Sequence, residues 1–191
     1  MRHSRRRFLG AALAAAAAPR VFAQEAPRWE ALRKGGFVLL MRHSATTAAG
    51  VDPKGFRLGD CRSQLNLSND GRAQAQRAGQ RIAEQKVPVA HVYTSPWCRC
   101  HETGLLAFGK AEDWEPLGTF FYEPTREEDY TKRVKARIGN YSSREIGGNV
   151  VMITHNTNIA ALTKLSIATG EIVVLRPDGC CGFKVVERLD L

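Results

Sequence analysis

The sequence predicts an α/β fold: a three-layer α/β/α sandwich with a mostly parallel sheet and an antiparallel edge strand. Five short segments rich in Val, Ile and Leu have the character of strands, and segments with helical spacing separate most of them. Several strand segments are continuously apolar, which is typical of strands covered by helices on both faces. The last two follow each other after a short turn region, which predicts an antiparallel pair at the edge.

The predicted elements follow the order β-α-β-α-α-β-α-β-β. The predicted strands are residues 37–41, 87–94, 150–154, 172–175 and 183–186. The predicted helices are a segment capped by Ser68 that ends before Pro88, residues 96–108, residues 126–144, and a segment that follows His155. Pro96 suits an early helix position, where its missing N–H does no harm.

The segment from Ser44 to Asn66 has no helical or strand periodicity and contains several glycines. Loops of this length in globular domains are usually functional. We therefore expect this loop to form a wall of the active site.

Residues 1–23 are predicted to be a twin-arginine signal peptide, and residues 24–191 the mature domain. Ser4-Arg5-Arg6-Arg7-Phe8-Leu9 begins a short apolar stretch, and Val21-Phe22-Ala23 supplies the small residues that signal peptidase requires. About 11 apolar residues are too few to cross a bilayer, where roughly 20 are needed. The order of these features favours a signal over a basic, irregular N-terminus. It predicts a periplasmic or secreted protein without stable membrane insertion.

The charge of the chain changes once this signal is removed. The whole sequence has a net charge of +9, but residues 1–23 contain five arginines and no acidic residue, so 23 basic and 19 acidic residues remain, a net charge of +4. This charge is too small to indicate nucleic-acid binding, and no basic stripe with interleaved aromatic residues is present. It suits an anionic substrate.

Five cysteines follow the predicted signal: Cys61, Cys98, Cys100, Cys180 and Cys181. An oxidising compartment permits disulfides, and the odd count leaves at least one thiol unpaired or pairing outside the chain. Adjacent Cys180 and Cys181 would form a strained bridge, so we prefer a bridge from Cys61 to Cys98 or Cys100. The spacing does not match a zinc site, and neither a metal nor another cofactor is expected.

Two histidines follow predicted strands at corresponding positions. His43 comes after the first strand and next to Arg42, and His155 comes directly after the third. Ligands of open α/β sheets bind at the carboxyl ends of the strands, so both side chains are expected in one crevice. Arg99 lies in the first turn of the second predicted helix, whose N-terminus favours anions. Guanidinium groups bind phosphoryl oxygens in bidentate fashion, so this set predicts a phosphate pocket.

At these positions the chain resembles the histidine phosphatase superfamily, also called phosphoglycerate-mutase-like. The Arg-His-Gly hallmark of that family stands here as Arg42-His43-Ser44. The Leu-Thr/Ser-x-x-Gly-x-x-Gln-Ala element matches residues 67–75, and the Ser-Pro-x-x-Arg-x-x-x-Thr element matches residues 95–103. The second histidine stands in Thr154-His155-Asn156. Four elements occur in the family order on the expected secondary structure.

The resemblance implies a mechanism and roles for these residues. His43 would attack phosphorus and form a phosphohistidine, while Arg42, Arg99 and His155 would stabilise charge on the phosphoryl oxygens. Water would then release His43. No metal or cofactor takes part in this scheme.

A carboxylic acid would protonate the leaving alcohol. The acid-phosphatase branch places an Asp after the second histidine, where Asn156 stands here. The mutase-like branch places a Glu after the helix of the third element, and Glu123 lies in that region, although a solvated loop carboxylate is an equal interpretation. Glu102, one helical turn after Arg99, is a weaker candidate that is also expected to pair with Arg99.

Three further residues are predicted to bind substrate. Ser44 replaces the family glycine and offers a hydroxyl to the phosphate. Thr46 matches the threonine of the mutase-type continuation, and Asn156 can donate hydrogen bonds. Ala45 and Ala49 replace the Glu and Asn of that continuation, which weakens the case for mutase activity.

The sequence therefore predicts an exported phosphomonoesterase. Its substrate would be a small-molecule or glycolipid phosphate, with a phosphoprotein also possible and nucleic acid excluded. A non-catalytic phosphate-ligand binder on the same fold and a phosphoglycerate-mutase-type phosphotransferase are the alternatives. Thiol redox chemistry is disfavoured because Cys98-x-Cys100 and Cys180-Cys181 lack the C-x-x-C spacing.

Overall fold

A computed structural model describes residues 29–141, 147–180 and 182–191. In this part of the chain, strands of one mixed six-stranded sheet are β1 (Val38–Arg42), β2 (Val89–Thr94), β3 (Glu112–Asp113), β4 (Asn149–Thr154), β5 (Ile172–Pro177) and β6 (Phe183–Leu189). The strand order is β3-β2-β4-β1-β5-β6. The mixed sheet confirms the predicted α/β class.

Strand directions follow from the lengths of the connections. β1 pairs with β4 in parallel, β4 with β2, and β2 with β3, because helical crossovers join these strands. β5 and β6 form the predicted antiparallel pair, and β5 also runs antiparallel to β1, so of these two strands only β6 lies at a sheet edge. The two-residue β3 is exposed and acidic, and no sequence pattern predicted it.

Among the described residues, four helices follow in chain order: α1 (Asn69–Glu84), α2 (Cys98–Phe108), α3 (Glu127–Gly139) and α4 (Asn156–Thr163). Residues 29–33, where the described part of the chain begins, are also helical. The Ser68 cap is confirmed, since its Oγ accepts a hydrogen bond from the N–H of Gly71 at 2.9 Å. α2 begins later than predicted because Trp97, its N-cap, is extended. α3 ends at Gly139, before the predicted end; residues 142–146 lie outside the described residues.

Two apolar clusters, one on each face of the sheet, confirm the three layers. Leu39, Met41 and their neighbours pack against α1 and α2. Val38 and Leu40 pack on the opposite face with residues of α3 and α4. Successive side chains of a strand point to opposite faces, so β1, which is apolar from Val38 to Met41, supplies both clusters.

The disulfide joins Cys61 to Cys98, which is one of the two pairings predicted. It links a short 3₁₀ turn at Cys61–Ser63 to the first residue of α2. Closing a loop across a sequence separation of 37 residues restricts the unfolded chain and stabilises the fold by about 3–4 kcal/mol. Cys181 lies outside the described residues.

The Cys100 thiol is fully buried, and burial raises its pKa to about 12. At neutral pH it is therefore protonated and a poor nucleophile. Together with the use of Cys98 in the disulfide, this argues against redox chemistry at Cys98-x-Cys100.

The predicted signal peptide, residues 1–23, lies outside the described residues. Within the described ranges, no helix combines the length and the apolar character needed to cross a membrane.

Candidate active site

The pairing of β1 with β4 brings the two histidines together. Arg42 is the register partner of Thr154, so His43 and His155 follow neighbouring parallel strands at the same sheet edge. The backbone N–H of His43 donates to the carbonyl of Thr154 at 3.0 Å. The two rings meet edge to face with centroids 5.4 Å apart, and both are buried. The structure thus places His43 and His155 in one crevice, as the strand ends predicted.

His43 is held as a neutral imidazole with one nitrogen available. Its Nδ1 lies 2.8 Å from the Ser44 carbonyl oxygen, and because a carbonyl only accepts, Nδ1 carries the proton. Nε2 therefore has the lone pair. Burial lowers the pKa of His43 from 6.5 to about 4, the hydrogen bond to Ser44 opposes this, and the charges of Arg99 and Arg42 lower it further. The arrangement suits a nitrogen nucleophile at neutral pH.

His155 takes the opposite tautomer. A guanidinium nitrogen of Arg99 lies 3.4 Å from its Nδ1, which therefore accepts. The proton is then on Nε2, which donates to the Ser95 hydroxyl at 2.8 Å. Burial, followed by the proximity of His43 and the positive charges of Arg99 and Arg42, holds the pKa of His155 well below its usual value.

Arg99 is oriented by a buried ion pair that the sequence did not predict. Its Nη1 donates to Oδ1 of Asp52 at 2.8 Å, and the Asp52 side chain is 0% exposed. Asp52 belongs to the loop that was predicted to wall the site. The loop contains two aspartates, Asp52 and Asp60. An aspartate in an aperiodic, glycine-containing loop is usually solvated, so no local signal distinguishes Asp52.

Four donors surround the Asp52 carboxylate. Oδ1 accepts from Arg99 and from the N–H of Leu65 at 2.8 Å, and Oδ2 accepts from the Trp97 indole and the Tyr122 hydroxyl, each at 3.0 Å. Burial alone raises the pKa of Asp52, but the hydrogen bonds from Arg99 and Leu65 outweigh it and leave the pKa lowered. One carboxylate thus joins the loop, the start of α2 and the segment before α3.

Arg42 supplies a second guanidinium. Its Nη1 donates to the carbonyl of Ile167 at 2.7 Å, and its buried Nε has no hydrogen-bond partner among the described residues. Burial lowers the pKa of Arg42. The Arg42 guanidinium is held by its hydrogen bond to Ile167, and its other N–H groups can donate to an anion.

Residues of the 67–75 element hold the chain directly after His43. A Cβ added at Gly71 would lie 1.9 Å from the Ala45 carbonyl oxygen, so only glycine permits this approach of α1. Gln74 accepts from the N–H of Ala45 at 3.0 Å and donates to the Thr169 carbonyl at 2.8 Å. This part of the motif therefore positions the segment after His43, and neither Gly71 nor Gln74 lines a cavity that includes His43.

Thr103 of the 95–103 element has a similar role. Its hydroxyl donates to the Arg99 carbonyl at 2.6 Å and accepts from the N–H of Ser44 at 3.2 Å. The segment after His43 is thereby tied to the helix turn that carries Arg99.

A cavity of about 170 Å³ opens over these groups. It is lined by Arg42, His43, Gly50, Val51, Arg99, Thr119, Phe121, Tyr122, His155, Asn156 and Thr157. An adjoining cavity of about 360 Å³ shares Arg42, His43, Gly50 and Arg99 with it. The loop between Ser44 and Asn66 contributes Gly50 and Val51, which confirms that it walls the site. A larger cavity of about 570 Å³ lies beside the disulfide and is lined by neither His43 nor His155.

The predicted proton donor is not brought to the cavity. Glu123 is exposed, and its carboxylate accepts from Arg126 at 2.6 Å. Glu102 pairs with Arg72, and not with Arg99 as expected, because α1 packs alongside α2. Among the described residues, the lining of the two cavities contains no carboxylate.

Two of the three predicted substrate-binding residues line a cavity, and the third does not. Thr46 lines the adjoining cavity, with its hydroxyl donating to the Ala48 carbonyl at 2.8 Å. Asn156 lines the cavity over His43, and its Oδ1 accepts from the N–H of Ile167. Ser44 is fully buried, is absent from both linings, and its hydroxyl has no partner among the described residues.

Part of the chain that builds this site is similar to a known family. The model of the histidine phosphatase superfamily (branch 1) matches residues 38–117. Residues 38–117 are therefore similar to the histidine phosphatase superfamily. The match includes the segments with Arg42, His43 and Arg99 and ends before His155. The pairing of β1 with β4 brings His155 to these residues. Among curated proteins, no match to this chain is found.

Solved structures of histidine phosphatases share the fold. The protein histidine phosphatase SixA complexed with tungstate is 18% identical, with 80% of this chain and 96% of that chain covered and a TM-score of 0.55. Phosphoglycerate mutase from Bacillus anthracis is 18% identical, with 78% of this chain and 92% of that chain covered and a TM-score of 0.57. The ecdysone phosphate phosphatase of Bombyx mori, also complexed with tungstate, is 17% identical, with 79% of this chain and 92% of that chain covered and a TM-score of 0.55. At such identities the likeness shows the fold.

His43 is expected to remain neutral down to about pH 4. Because its pKa in the folded state lies below the unfolded value of 6.5, the unfolded chain binds the extra proton first, and the free energy of unfolding should fall as the pH drops from 6.5 toward 4, by about 3 kcal/mol in all. Ring ¹⁵N shifts would follow the protonation, and denaturant unfolding at several pH values the stability. His43→Asn should remove the contribution of His43 and leave that of the buried His155, whose pKa is also lowered, whereas His91→Asn on the exposed face of β2 should leave the pH dependence unchanged. A His43 ring that titrates near 6.5 would contradict this assignment.

Asp52→Asn is expected to weaken binding of tungstate about 10- to 100-fold, because Arg99 loses the carboxylate that orients it. It should also lower the free energy of unfolding by about 3 kcal/mol, since one charge stays buried without its partner. Calorimetric titration and denaturant unfolding measure the two effects. Asp60→Asn is the matched control, because Asp60 lies in the same loop but pairs with the exposed Arg57. Wild-type tungstate affinity in Asp52→Asn would show that Arg99 needs no such support.

Proposed function

We propose that this chain is an exported phosphomonoesterase that forms a phosphohistidine on His43. The observation that carries the proposal is the neutral, buried His43 ring with Nε2 available, in one cavity with Arg42, Arg99 and His155. A neutral imidazole beside two guanidinium groups combines a nucleophile with an anion clamp. The family match to phosphatases supports the same reaction class.

The reaction has two steps. In the first, the Nε2–P bond forms as the P–O bond to the leaving group breaks, and the departing oxygen takes the bonding electron pair. The ring then carries a positive charge, which the Ser44 carbonyl stabilises by accepting the hydrogen bond from Nδ1–H. In the second step, water bonds to phosphorus, the P–N electron pair returns to Nε2, and the proton that water loses balances the negative charge of the oxyanion that left in the first step.

Arg42, Arg99 and His155 would act on the phosphoryl oxygens. The guanidinium groups are charged throughout, and their charge is most effective in a cavity from which water is largely excluded. An anionic phosphoryl group beside His155 raises the pKa of its ring. Substrate binding therefore favours the protonated His155 that can donate to a phosphoryl oxygen.

The substrate is proposed to be a small-molecule or glycolipid phosphate, or a phosphoprotein. Two of the similar structures are named as phosphatases and are complexed with tungstate, a tetrahedral oxyanion. A cavity of about 170 Å³ holds a phosphoryl group and part of its leaving group. The third similar protein is named a phosphoglycerate mutase, and the phosphotransferase alternative differs only in the final acceptor.

A non-catalytic phosphate binder is the second candidate. The observation in its favour is that the described cavity lining contains no carboxylate to act as proton donor. General acid catalysis contributes roughly 10²–10⁴-fold, so its loss would slow esters of poor leaving groups but would leave those of good leaving groups reactive.

Export is proposed from the sequence of residues 1–23. The disulfide between Cys61 and Cys98 supports it, because structural disulfides persist in oxidising compartments such as the periplasm.

His43→Ala should reduce turnover of p-nitrophenyl phosphate by at least about 10³-fold, because the first step loses its nucleophile. His91→Ala, which removes an exposed histidine, should retain wild-type turnover. Brief reaction of the wild type with ³²P-labelled substrate should trap an acid-labile phosphoenzyme that His43→Ala lacks. Turnover in His43→Ala equal to that of the wild type would overturn the proposed mechanism. Tight phosphate binding by a wild type without turnover would favour the binder.

The Arg5→Lys/Arg6→Lys variant should keep the chain uncleaved inside the cell, because the twin-arginine route requires the arginine pair even when charge is preserved. Cell fractionation and N-terminal sequencing would test this, with Gln24 expected as the first residue of the exported wild type. Arg20→Lys, outside the pair, is the control. Equal export of both variants would contradict the twin-arginine route.

A further inference from the structure

The cavity over His43 has an apolar outer wall. Val51 and Phe121 line it and are 54% and 55% exposed, and Tyr122 lines it at 36% exposed. Exposed apolar side chains that adjoin one another and are bordered by polar groups can mark a ligand-binding site. The inner end holds the two arginines and two histidines, so the cavity is charged inside and apolar outside.

This wall is held in place before any ligand binds. The Tyr122 hydroxyl donates to Oδ2 of Asp52 at 3.0 Å and accepts from the N–H of Asp52 at 2.6 Å. Its ring lies 4.8 Å from Phe56 and 5.2 Å from Phe121, measured between centroids. The Phe121 N–H donates to the Thr119 hydroxyl at 3.1 Å. The wall is therefore a fixed surface of rings, anchored on the same carboxylate that orients Arg99.

The remaining lining of the outer part is neutral. Thr119, Asn156 and Thr157 contribute hydroxyl and amide groups, and no carboxylate is present among the described lining residues. A leaving group in this position meets apolar rings and receives no proton from an acidic side chain. It must therefore be stable as an anion. A phenol, which ionises near pH 10 like tyrosine, meets this condition far better than an alkyl alcohol.

We propose that Val51, Phe121 and Tyr122 form a leaving-group subsite that selects aryl phosphate monoesters. This inference depends on the proposed phosphatase reaction at His43 and names its substrate class. An aromatic ring on the ester oxygen packs against the fixed ring of Phe121 and the methyl groups of Val51. The same ring delocalises the charge that develops when the P–O bond breaks. Packing and leaving-group chemistry favour the same substrates.

Steady-state hydrolysis of three esters by the full chain would test the subsite. Phenyl phosphate and 2-naphthyl phosphate have leaving groups of similar acidity but different ring area, and glycerol 3-phosphate is the alkyl reference. We expect kcat/KM to follow the order naphthyl, phenyl, glycerol. The variants are Val51→Ser and Phe121→Ser, both at exposed positions where folding tolerates the change.

Phe121→Ser should lower kcat/KM for 2-naphthyl phosphate about five- to tenfold, as expected for one lost aromatic contact, and should change the glycerol ester little. Val51→Ser should act in the same direction. Val185→Ser is the matched control, because Val185 is similarly exposed on β6 and does not line the cavity.

The outcomes separate the two proposals. Equal effects of Phe121→Ser on all three esters, or no preference of the wild type for the aryl esters, would overturn the subsite and leave the phosphatase reaction standing. Hydrolysis of no ester by the wild type, with tungstate still bound, would overturn the proposed function itself.

Discussion

The parallel pairing of β1 with β4 is the constraint on which the site depends. Both strands are apolar on both faces, so burial alone does not choose between registers one residue apart. The fully buried Asn149 fixes the register. Its Oδ1 accepts a hydrogen bond from the N–H of Phe37 at 3.2 Å, and its Nδ2 donates to the carbonyls of Leu32 and Pro88 at 2.8 and 2.9 Å. A slip of one residue would turn His43 away from His155.

The ion pair between Asp52 and Arg99 positions the rest of the site relative to β1 and β4. A buried ion pair contributes little net stability, because desolvation offsets much of the attraction. Its value here is geometric. Asp52 joins the loop, the first turn of α2 and Tyr122 through its two oxygens, so the anion clamp and the apolar wall occupy fixed positions relative to one another. The disulfide at Cys98 ties the same loop to the same helix turn.

Several features were predictable from the sequence because their signals are local. Apolar strand segments that alternate with helical segments predicted the three layers of the sandwich. Ser68 predicted the start of α1, and the positions of His43 and His155 after two strands predicted that they lie in one crevice. Errors arose where long-range contacts override local preference. Glu102 has helical spacing to Arg99, but the neighbouring helix offers Arg72. Glu123 has the family position for an acid, but Arg126 holds its carboxylate at the surface.

The sequence by itself determined the fold class and the histidine and arginine residues of the site, since these depend on periodicity, spacing and strand termini. It left two pairings open for the disulfide, Cys61 with Cys98 or with Cys100, and the structure has the first. Only the tertiary structure decided the proton positions on the two histidines, the partner of Arg99 and the apolar wall. Asp52 and Arg99 are 47 residues apart, and Asp52 and Tyr122 are 70 apart. No pattern within one helix or strand records contacts between such distant loops, because they form only when packing of the sheet layers brings the loops together.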